Sequence, residues 1–225
     1  MFADITSANV VGYKAEALQE GTRLMAPCFV DVGTESDVDL TKFVPGGSYK
    51  TGDIQVDTLD YAGRTIKKYS YNVPRRGTPG WYDFDTNTEV SEGEVIFKAG
   101  EGVCVTGLDD LTLTTAGQVS TDDRVIALRE GTTPCGNSTA VALDLTAIVP
   151  GGNYKTGDIQ IDTVDYAGRT VKKYSFNVPR RGTPGWYDFD TNAAINEGEV
   201  IFHPGEGFTV TGLDGLTITI PGPTL

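Results

Sequence analysis

The sequence predicts an all-β protein built from two tandem β-sandwich domains of the jelly-roll or immunoglobulin-like type. Short runs of β-branched and aromatic residues are separated by Gly, Pro, Asn and Asp along the whole chain, which is typical of strands and turns. Residues 38–114 and 143–219 are identical at 59 of 77 positions without a gap, which indicates an internal duplication. Because no helical pattern is available to cover a sheet, two sheets must cover each other within each unit.

The duplication places the two domains at residues 1–115 and 116–225. The first unit has an extra N-terminal strand, because residues 4–14 are β-prone whereas residues 116–124, which precede the second unit, are polar and turn-like. The strands expected in the first unit are residues 9–13, 25–32, 38–43, 54–59, 65–73, 80–84, 94–97, 102–106 and 111–114.

Most differences between the two copies exchange one residue for another of similar volume, as a packed interior tolerates best. These positions therefore give the first candidates for the core. They are the pairs Val56 and Ile161, Leu59 and Val164, Ile66 and Val171, Tyr71 and Phe176, and Leu113 and Ile218.

The net charge of −13 argues against a nucleic-acid partner, because a phosphate backbone would repel so acidic a chain. No run of about 18 apolar residues is present, so membrane insertion is not expected. Met1 is read either as the initiator or as the first residue after a processing point. The composition, with few Lys and many Gly, Thr and Asp, favours a secreted protein.

The three cysteines are Cys28, Cys104 and Cys135, whereas a disulfide framework requires an even number. A bridge between Cys28 and Cys104 and a set of three buried thiols are both compatible with the sequence.

The sequence gives no indication of catalysis. The one histidine, His203, corresponds to Lys98 in the first unit, so a duplicated histidine-based site is excluded. No nucleophile elbow, HExxH motif, phosphate-binding loop or dinucleotide fingerprint occurs. We therefore expect a protein that is not an enzyme.

An acidic stretch in each unit has the ligand spacing of a calcium-binding loop. In DFDTNTEVSEGE (residues 83–94) and DFDTNAAINEGE (residues 188–199), oxygen-bearing side chains occupy places 1, 3, 5 and 12. The sixth place lacks the Gly of an EF-hand and the flanks are strands, so a solvated acidic turn is the other interpretation. The candidate Ca²⁺ ligands are Asp83, Asp85, Asn87, Glu94, Asp188, Asp190, Asn192 and Glu199, and no other cofactor is expected.

Two further features are repeated in each unit. Trp81 with Tyr82 could form an aromatic platform for a carbohydrate, although a single Trp in a sandwich is more often its largest core residue. Arginine pairs also stand out in so acidic a chain, and their planar guanidinium groups suit carboxylates within the unit or on a neighbouring molecule. These candidate interface residues are Arg75, Arg76, Arg180 and Arg181.

The duplication itself indicates self-assembly. If the contact between the two units is directional, the same contact can be repeated between molecules and produces a head-to-tail filament, tube or sheet. The N-terminal strand could assist by pairing with a neighbouring subunit, or it could complete the first unit alone. The candidate contact residues in that strand are Ile5, Val10, Val11 and Tyr13.

Four short stretches resemble recurring segments of secreted, uncharacterised bacterial all-β surface proteins. They are SANVVGY (residues 7–13), GDIQ (52–55), GWYD (80–83) and GEGFTVTGL (205–213). The resemblance implies an extracellular, non-catalytic role. We therefore expect a non-enzymatic extracellular or cell-surface protein that forms a homopolymer, with a secreted Ca²⁺-binding or carbohydrate-binding module as the alternative.

Overall fold

The prediction of an all-β protein is confirmed by a computed structural model that describes residues 11–34, 37–59, 65–165, 169–180 and 182–223. About half of the chain is in strands and about 3% is helical. The helical residues form two single 3₁₀ turns, Leu40–Lys42 and Leu145–Ala147, each capped by the aspartate before it. In this part of the chain no helix is both long enough and apolar enough to span a bilayer.

Each half of the described chain contains ten strands. Those of the first half are Val11–Ala17 (β1), Gly21–Met25 (β2), Asp37–Asp39 (β3), Phe43–Gly46 (β4), Gln55–Leu59 (β5), Thr65–Asn72 (β6), Gly80–Asp83 (β7), Ile96–Lys98 (β8), Val103–Gly107 (β9) and Thr112–Gln118 (β10). Those of the second half are Arg124–Ala127 (β11), Gly131–Gly136 (β12), Leu143–Asp144 (β13), Val149–Gly151 (β14), Gln160–Val164 (β15), Thr170–Asn177 (β16), Gly185–Asp188 (β17), Ile201–Phe202 (β18), Gly207–Gly212 (β19) and Thr217–Ile220 (β20).

Each half folds into the same set of antiparallel sheets. The first half has a five-stranded sheet in the order β2-β9-β5-β6-β7, a three-stranded sheet β1-β10-β4 and a two-stranded sheet β3-β8. The second half repeats all three with the orders β12-β19-β15-β16-β17, β11-β20-β14 and β13-β18.

The expectation of two tandem β-sandwiches was wrong, because the sheets are arranged as a four-bladed, propeller-like ring. The physical reason is that the halves are joined through their backbones rather than by a linker. The N–H of Ala26 donates to the carbonyl of Gly205 at 3.0 Å, and the N–H of Gly102 donates to the carbonyl of Pro134 at 3.1 Å. Strand β2 also packs against β12 and β19.

Each half nevertheless keeps an apolar core made of its own residues. Trp81 lies in the first core with 2% of its surface exposed, and its indole N–H donates to the carbonyl of Phe43 at 2.8 Å. Trp186 repeats this contact with the carbonyl of Ile148 at 3.0 Å. Both tryptophans are therefore structural, and neither offers a face to a sugar.

The core predicted from the paired substitutions is confirmed in part. Val56, Ile161, Leu113 and Ile218 are almost fully buried, and Tyr71 and Phe176 are partly buried against the tryptophans. Leu59 and Val164 are half-buried. Ile66 and Val171 were predicted wrongly, because they lie near the start of β6 and β16 with 63% and 62% of their surfaces exposed.

The expectation that only the first half has an N-terminal edge strand was also wrong. β1 pairs with β10 and β11 pairs with β20 in the same register, since Ala17 faces Thr112 and Ala127 faces Thr217. Counting the described residues alone, β1 is three residues longer than β11. Residues Val11 and Tyr13 of β1 pair with Gln118 and Ala116 of the same chain, whereas Ile5 and Val10 lie outside the described residues.

The contact between the halves is reciprocal. Single antiparallel bridges join Met25 to Glu206 and Cys135 to Glu101. Met25 and Cys135 occupy equivalent places at the ends of β2 and β12, and Glu101 and Glu206 occupy equivalent places before β9 and β19. The two halves are therefore related by a pseudo-two-fold axis, so the contact is of the isologous kind that closes on itself.

This contact depends on glycine at two equivalent positions. A Cβ added to Gly207 would lie 2.5 Å from the backbone carbonyl carbon of Leu24, and one added to Gly102 would lie 2.8 Å from the backbone nitrogen of Cys135. No Cβ approaches backbone so closely without a shift of the chain. The halves can meet at this distance only because both positions lack a side chain.

We predict that Gly207→Ala destabilises the protein by about 2 kcal/mol, because the new methyl group forces the two backbones apart. Gly185→Ala is the matched control, since it also lies in a strand and its added Cβ has no heavy atom within 4 Å. It should change the stability by less than about 0.5 kcal/mol. Urea unfolding followed by tryptophan fluorescence measures both, and equal midpoints for the two variants would show that the contact between the halves is not tight.

Candidate functional site

The sixteen-residue stretch repeated without change includes β7 and β17, which lie at the sheet edges opposite those that take part in the contact between the halves. β2 and β12 form the inner edges of the five-stranded sheets, and β7 and β17 form the opposite edges. With about 4.8 Å between neighbouring strands, β7 lies roughly 19 Å from β2. We call the surfaces formed by residues 72–95 and 177–200 the two ends of the molecule.

Each end carries exposed arginines. Arg75, Arg76 and Arg180 lie in the turns between β6 and β7 and between β16 and β17, and none of the three makes an ion pair with a described residue. Arg181 lies outside the described residues. Among the described residues, these three arginines therefore form none of the ion pairs within the unit that the sequence allowed.

The predicted Ca²⁺ ligands are engaged locally rather than with one another. Asp83 accepts hydrogen bonds from the N–H groups of Asp85 and Thr86 at 3.0 Å and from the ammonium of Lys67 at 2.8 Å. Asn87 has a positive φ of 54° and its side chain faces Asn72, while Glu94 accepts from the N–H of Ser91.

The second loop repeats these contacts. Asp188 caps the N–H groups of Asp190 and Thr191 and binds Lys172, and Glu199 binds Asn196. Asn192 faces Asn177. Across the described part of the chain, no three His, Cys, Asp or Glu side chains are grouped so that they could hold a metal ion.

The capping aspartates are strongly acidic. The hydrogen bond from Lys67, together with the backbone N–H of Thr86, lowers the pKa of Asp83 to about 2. The backbone N–H of Thr191, followed by Lys172, lowers the pKa of Asp188 to about 2. Both carboxylates therefore stay ionised in all but strongly acidic solution and act as fixed turn caps.

The three cysteines are free thiols in the structure. Burial raises the pKa of Cys28 and Cys135, and it raises the pKa of the half-buried Cys104 to about 11. A thiol that stays protonated at neutral pH is a poor nucleophile and a poor metal ligand. The interpretation as small packed thiols is the one the structure shows.

Two grooves flank the contact between the halves, one on each side of the pseudo-two-fold axis. The first, which we call the charged groove, has a volume of about 260 Å³, and its lining includes Lys14, Glu16, Arg23, Asp165, His203 and Glu206. The second, which we call the apolar groove, has a volume of about 490 Å³, and its lining includes Leu59, Ile66, Lys98, Val125, Ile126 and Thr133.

A network of ion pairs lies in the charged groove. Glu16 pairs with Lys14 and with Arg23, each at 2.5 Å, and Lys14 also donates to the carbonyl of Pro204 in the other half. Burial alone would raise the pKa of Glu16, but the hydrogen bonds from Lys14 and Arg23 outweigh burial and hold it below its usual value. His203 lies at the rim, where its backbone N–H donates to Glu206.

The sequence did not predict these grooves. Their walls include β1, β2, β11 and β12, the segments in which the match between the two copies is weakest. The weak match between the two copies in these segments was the signal that could have indicated the grooves. Where the two grooves differ, equivalent positions of the fold carry unlike residues.

The chain matches no family model, no curated protein and no solved structure to which it was compared.

We predict that the capping aspartates Asp83 and Asp188 make the stability of the fold depend on pH. Because their folded pKa lies below the unfolded value of about 4, they stabilise the fold above pH 4, and this contribution disappears as the pH falls towards 2. Asp83→Asn combined with Asp188→Asn should lower the urea midpoint at pH 7 and leave it unchanged at pH 2.

The control is Asp85→Asn combined with Asp190→Asn, whose carboxylates accept no hydrogen bond from the described part of the chain. It should follow the wild type across the same range. A pH profile of the first variant parallel to that of the wild type would contradict the capping role.

Proposed function

We propose that the protein is a non-enzymatic extracellular or cell-surface structural subunit that polymerises through its two ends. The observation that carries the proposal is the presence at both ends of the same exposed arginine turn, without an ion-pair partner among the described residues, in a chain of net charge −13. A solubilising role would be served as well by acidic residues. The arginines are better explained by carboxylates on another molecule.

The contact between the halves cannot be the one that is repeated between molecules. It is reciprocal, so it uses the same surface of each half and leaves no equivalent surface free. Neighbouring molecules therefore meet through their ends, and not by a head-to-tail repetition of the contact between the halves. A subunit with two like ends extends into a line when each end pairs with an end of a neighbour.

Each end has the charge pattern that a two-fold contact requires. The turn at one end of β7 carries Arg75 and Arg76, and the loop at its other end carries the exposed carboxylate Asp85. Arg180 and Asp190 take the same places beside β17. When two such edges meet antiparallel, the arginine turn of one faces the acidic loop of the other. Arg pairs with carboxylates in a bidentate geometry, which adds orientation to attraction.

The contact is made by side chains rather than by added strands. The outer edge of β7 is already covered by its own loop, because the N–H of Val90 donates to Trp81 at 2.8 Å and the N–H of Asp83 donates to Thr88 at 2.9 Å. The edge of β17 is covered in the same way. A neighbouring strand therefore finds few free backbone groups at these edges.

We predict filaments in negative-stain electron microscopy of the wild type at neutral pH and low salt. Exposed ion pairs are screened by salt, so the filaments should shorten as the salt concentration rises above about 0.15 M. Arg75→Glu combined with Arg180→Glu blocks both ends and should give monomers in sedimentation velocity.

The single variant Arg75→Glu distinguishes pairing between like ends from pairing between unlike ends. If like ends pair, the unblocked second end still pairs with itself and the variant stops at dimers. If unlike ends pair, it stops at monomers and the two-fold arrangement is wrong. Arg129→Glu, which makes the same change in charge at an exposed position away from the ends, should assemble like the wild type. A wild type that stays monomeric at every salt concentration would refute the proposal.

A further inference from the structure

A row of polar side chains crosses the outer face of each five-stranded sheet, at right angles to the strands. Because the strands are paired in register, one residue from each strand takes part in the row. In the first half the row consists of Thr22, Thr106, Gln55, Ser70 and Tyr82. In the second half it consists of Thr132, Thr211, Gln160, Ser175 and Tyr187. The same five residue types therefore occur in the same order, and we call each set a polar row.

A polar outer face is not a general property of the sheets in this protein. The neighbours of the row along its strands, such as Val56, Val105 and Trp81, are buried in the core, which places the row on the opposite face of the sheet. The outer face of the three-stranded sheet in the same half instead carries Tyr13 and Val44, with 79% and 54% of their surfaces exposed. The polar rows therefore need an explanation of their own.

The polar groups of the row are held in place but are not saturated with hydrogen bonds. The hydroxyls of Thr22 and Thr106 are hydrogen-bonded to each other at 2.6 Å, and the side-chain N–H of Gln55 donates to the carbonyl of Gly52 at 3.0 Å. Within the described part of the chain, no group donates to the side-chain oxygen of Gln55, and the hydroxyl of Tyr82 has no hydrogen-bond partner. All four row residues named here are partly exposed, so the row offers donors and acceptors in fixed positions.

An exposed aromatic ring lies beside the outer end of each row. Phe84 and Phe189 have 54% and 52% of their surfaces exposed. The ammonium of Lys68 lies 5.6 Å from the centroid of the Phe84 ring, and that of Lys173 lies 5.5 Å from the centroid of the Phe189 ring. Both lysines precede the serine of their row by two positions, so the rings lie on the same face as the rows. An exposed ring of this kind can stack on the apolar C–H face of a sugar.

The charges beside each row cancel. Asp57 and Lys68 lie directly opposite each other on neighbouring strands, with 3.8 Å between the carboxylate oxygen and the ammonium nitrogen. Asp162 and Lys173 repeat the pair at 3.6 Å. No residue of the rows themselves is charged at neutral pH. In a chain of net charge −13, a face without net charge suits a neutral ligand.

We propose that each polar row binds an extended, neutral, β-1,4-linked polysaccharide laid across the five strands. Neighbouring strands are about 4.8 Å apart, which is close to the length of one sugar unit in such a chain, so successive sugars meet successive side chains of the row. The sugar hydroxyls exchange hydrogen bonds with the row, and the exposed phenylalanine stacks on the sugar at its outer end. An α-1,4-linked glucan winds into a helix and lacks this match. Because Gln55 and Gln160 lie outside the two ends, the binding does not depend on the contacts between ends.

The test is isothermal titration calorimetry of the wild type with cellohexaose, at a salt concentration that screens the contacts between ends. The protein should bind two molecules of cellohexaose per chain, one on each row. Maltohexaose, which has the same sugars in the α-1,4 linkage, should bind roughly 10-fold more weakly.

Gln55→Leu combined with Gln160→Leu keeps the size of both side chains and removes the amide from the centre of each row. This variant should bind cellohexaose roughly 5- to 10-fold more weakly, as expected when a hydrogen bond to the ligand is lost. The matched control is Val44→Ala combined with Val149→Ala, which truncates exposed side chains at equivalent places on the outer faces of the three-stranded sheets. The control should bind like the wild type.

The phenylalanines test whether the two rows act as separate sites. Phe84→Ala removes the ring from the first row alone and should leave one cellohexaose molecule bound with the affinity of the wild type. Adding Phe189→Ala should weaken the remaining site as well. Loss of filaments in the double variant with unchanged cellohexaose binding would overturn the proposal and assign the rings to the contacts between ends.

Three further results would overturn the proposal. The wild type could release no heat with millimolar cellohexaose, or it could bind maltohexaose equally well. The glutamine variant could also bind cellohexaose like the wild type while remaining folded by circular dichroism. A wild type that forms no filaments but binds cellohexaose would refute the polymer and support this site, so the two proposals fail separately.

Discussion

The arrangement of the whole molecule depends on the backbone contact between its two halves. In this contact β2 approaches the segment before β19, and β12 approaches the segment before β9. The bridges Met25–Glu206 and Cys135–Glu101 form it, and Gly102 and Gly207 leave room for it. Because the contact is isologous, it fixes where everything else lies. The inner edges of the large sheets are occupied, the outer edges become the two ends of the molecule, and the remaining space on each side of the axis becomes a groove.

A duplicated chain joined in this way has two classes of surface, and they are under different constraints. The ends are far from the axis and do not touch each other, so each copy can keep the same residues. The grooves lie beside the axis, where each is built from strands of both halves. An exchange such as Arg23 for Thr133 therefore changes one groove and leaves the other intact. Asymmetry appears at the grooves although the folds of the two halves are the same.

The sequence predicted the parts of this structure that are local. Strands β5, β6, β7 and β9 were predicted to within a few residues, because alternation and turn residues act over short distances. The burial of Trp81 and its duplicate followed from size alone. The sequence could not predict how the sheets are arranged, because that depends on a backbone contact between residues about 180 positions apart, such as Met25 and Glu206.

Two patterns in the sequence are each compatible with two kinds of position. Asp83 has the spacing of a metal ligand and Ile66 has the substitution pattern of a core residue, but each property is shared by a second kind of position. An aspartate at the start of a turn caps the next N–H groups, and an aliphatic residue near the start of a strand can line a groove. Identity between the copies and difference between them are more informative. Residues 72–87 at one end are identical to residues 177–192 at the other, whereas the strands that line the two grooves carry unlike residues at equivalent positions.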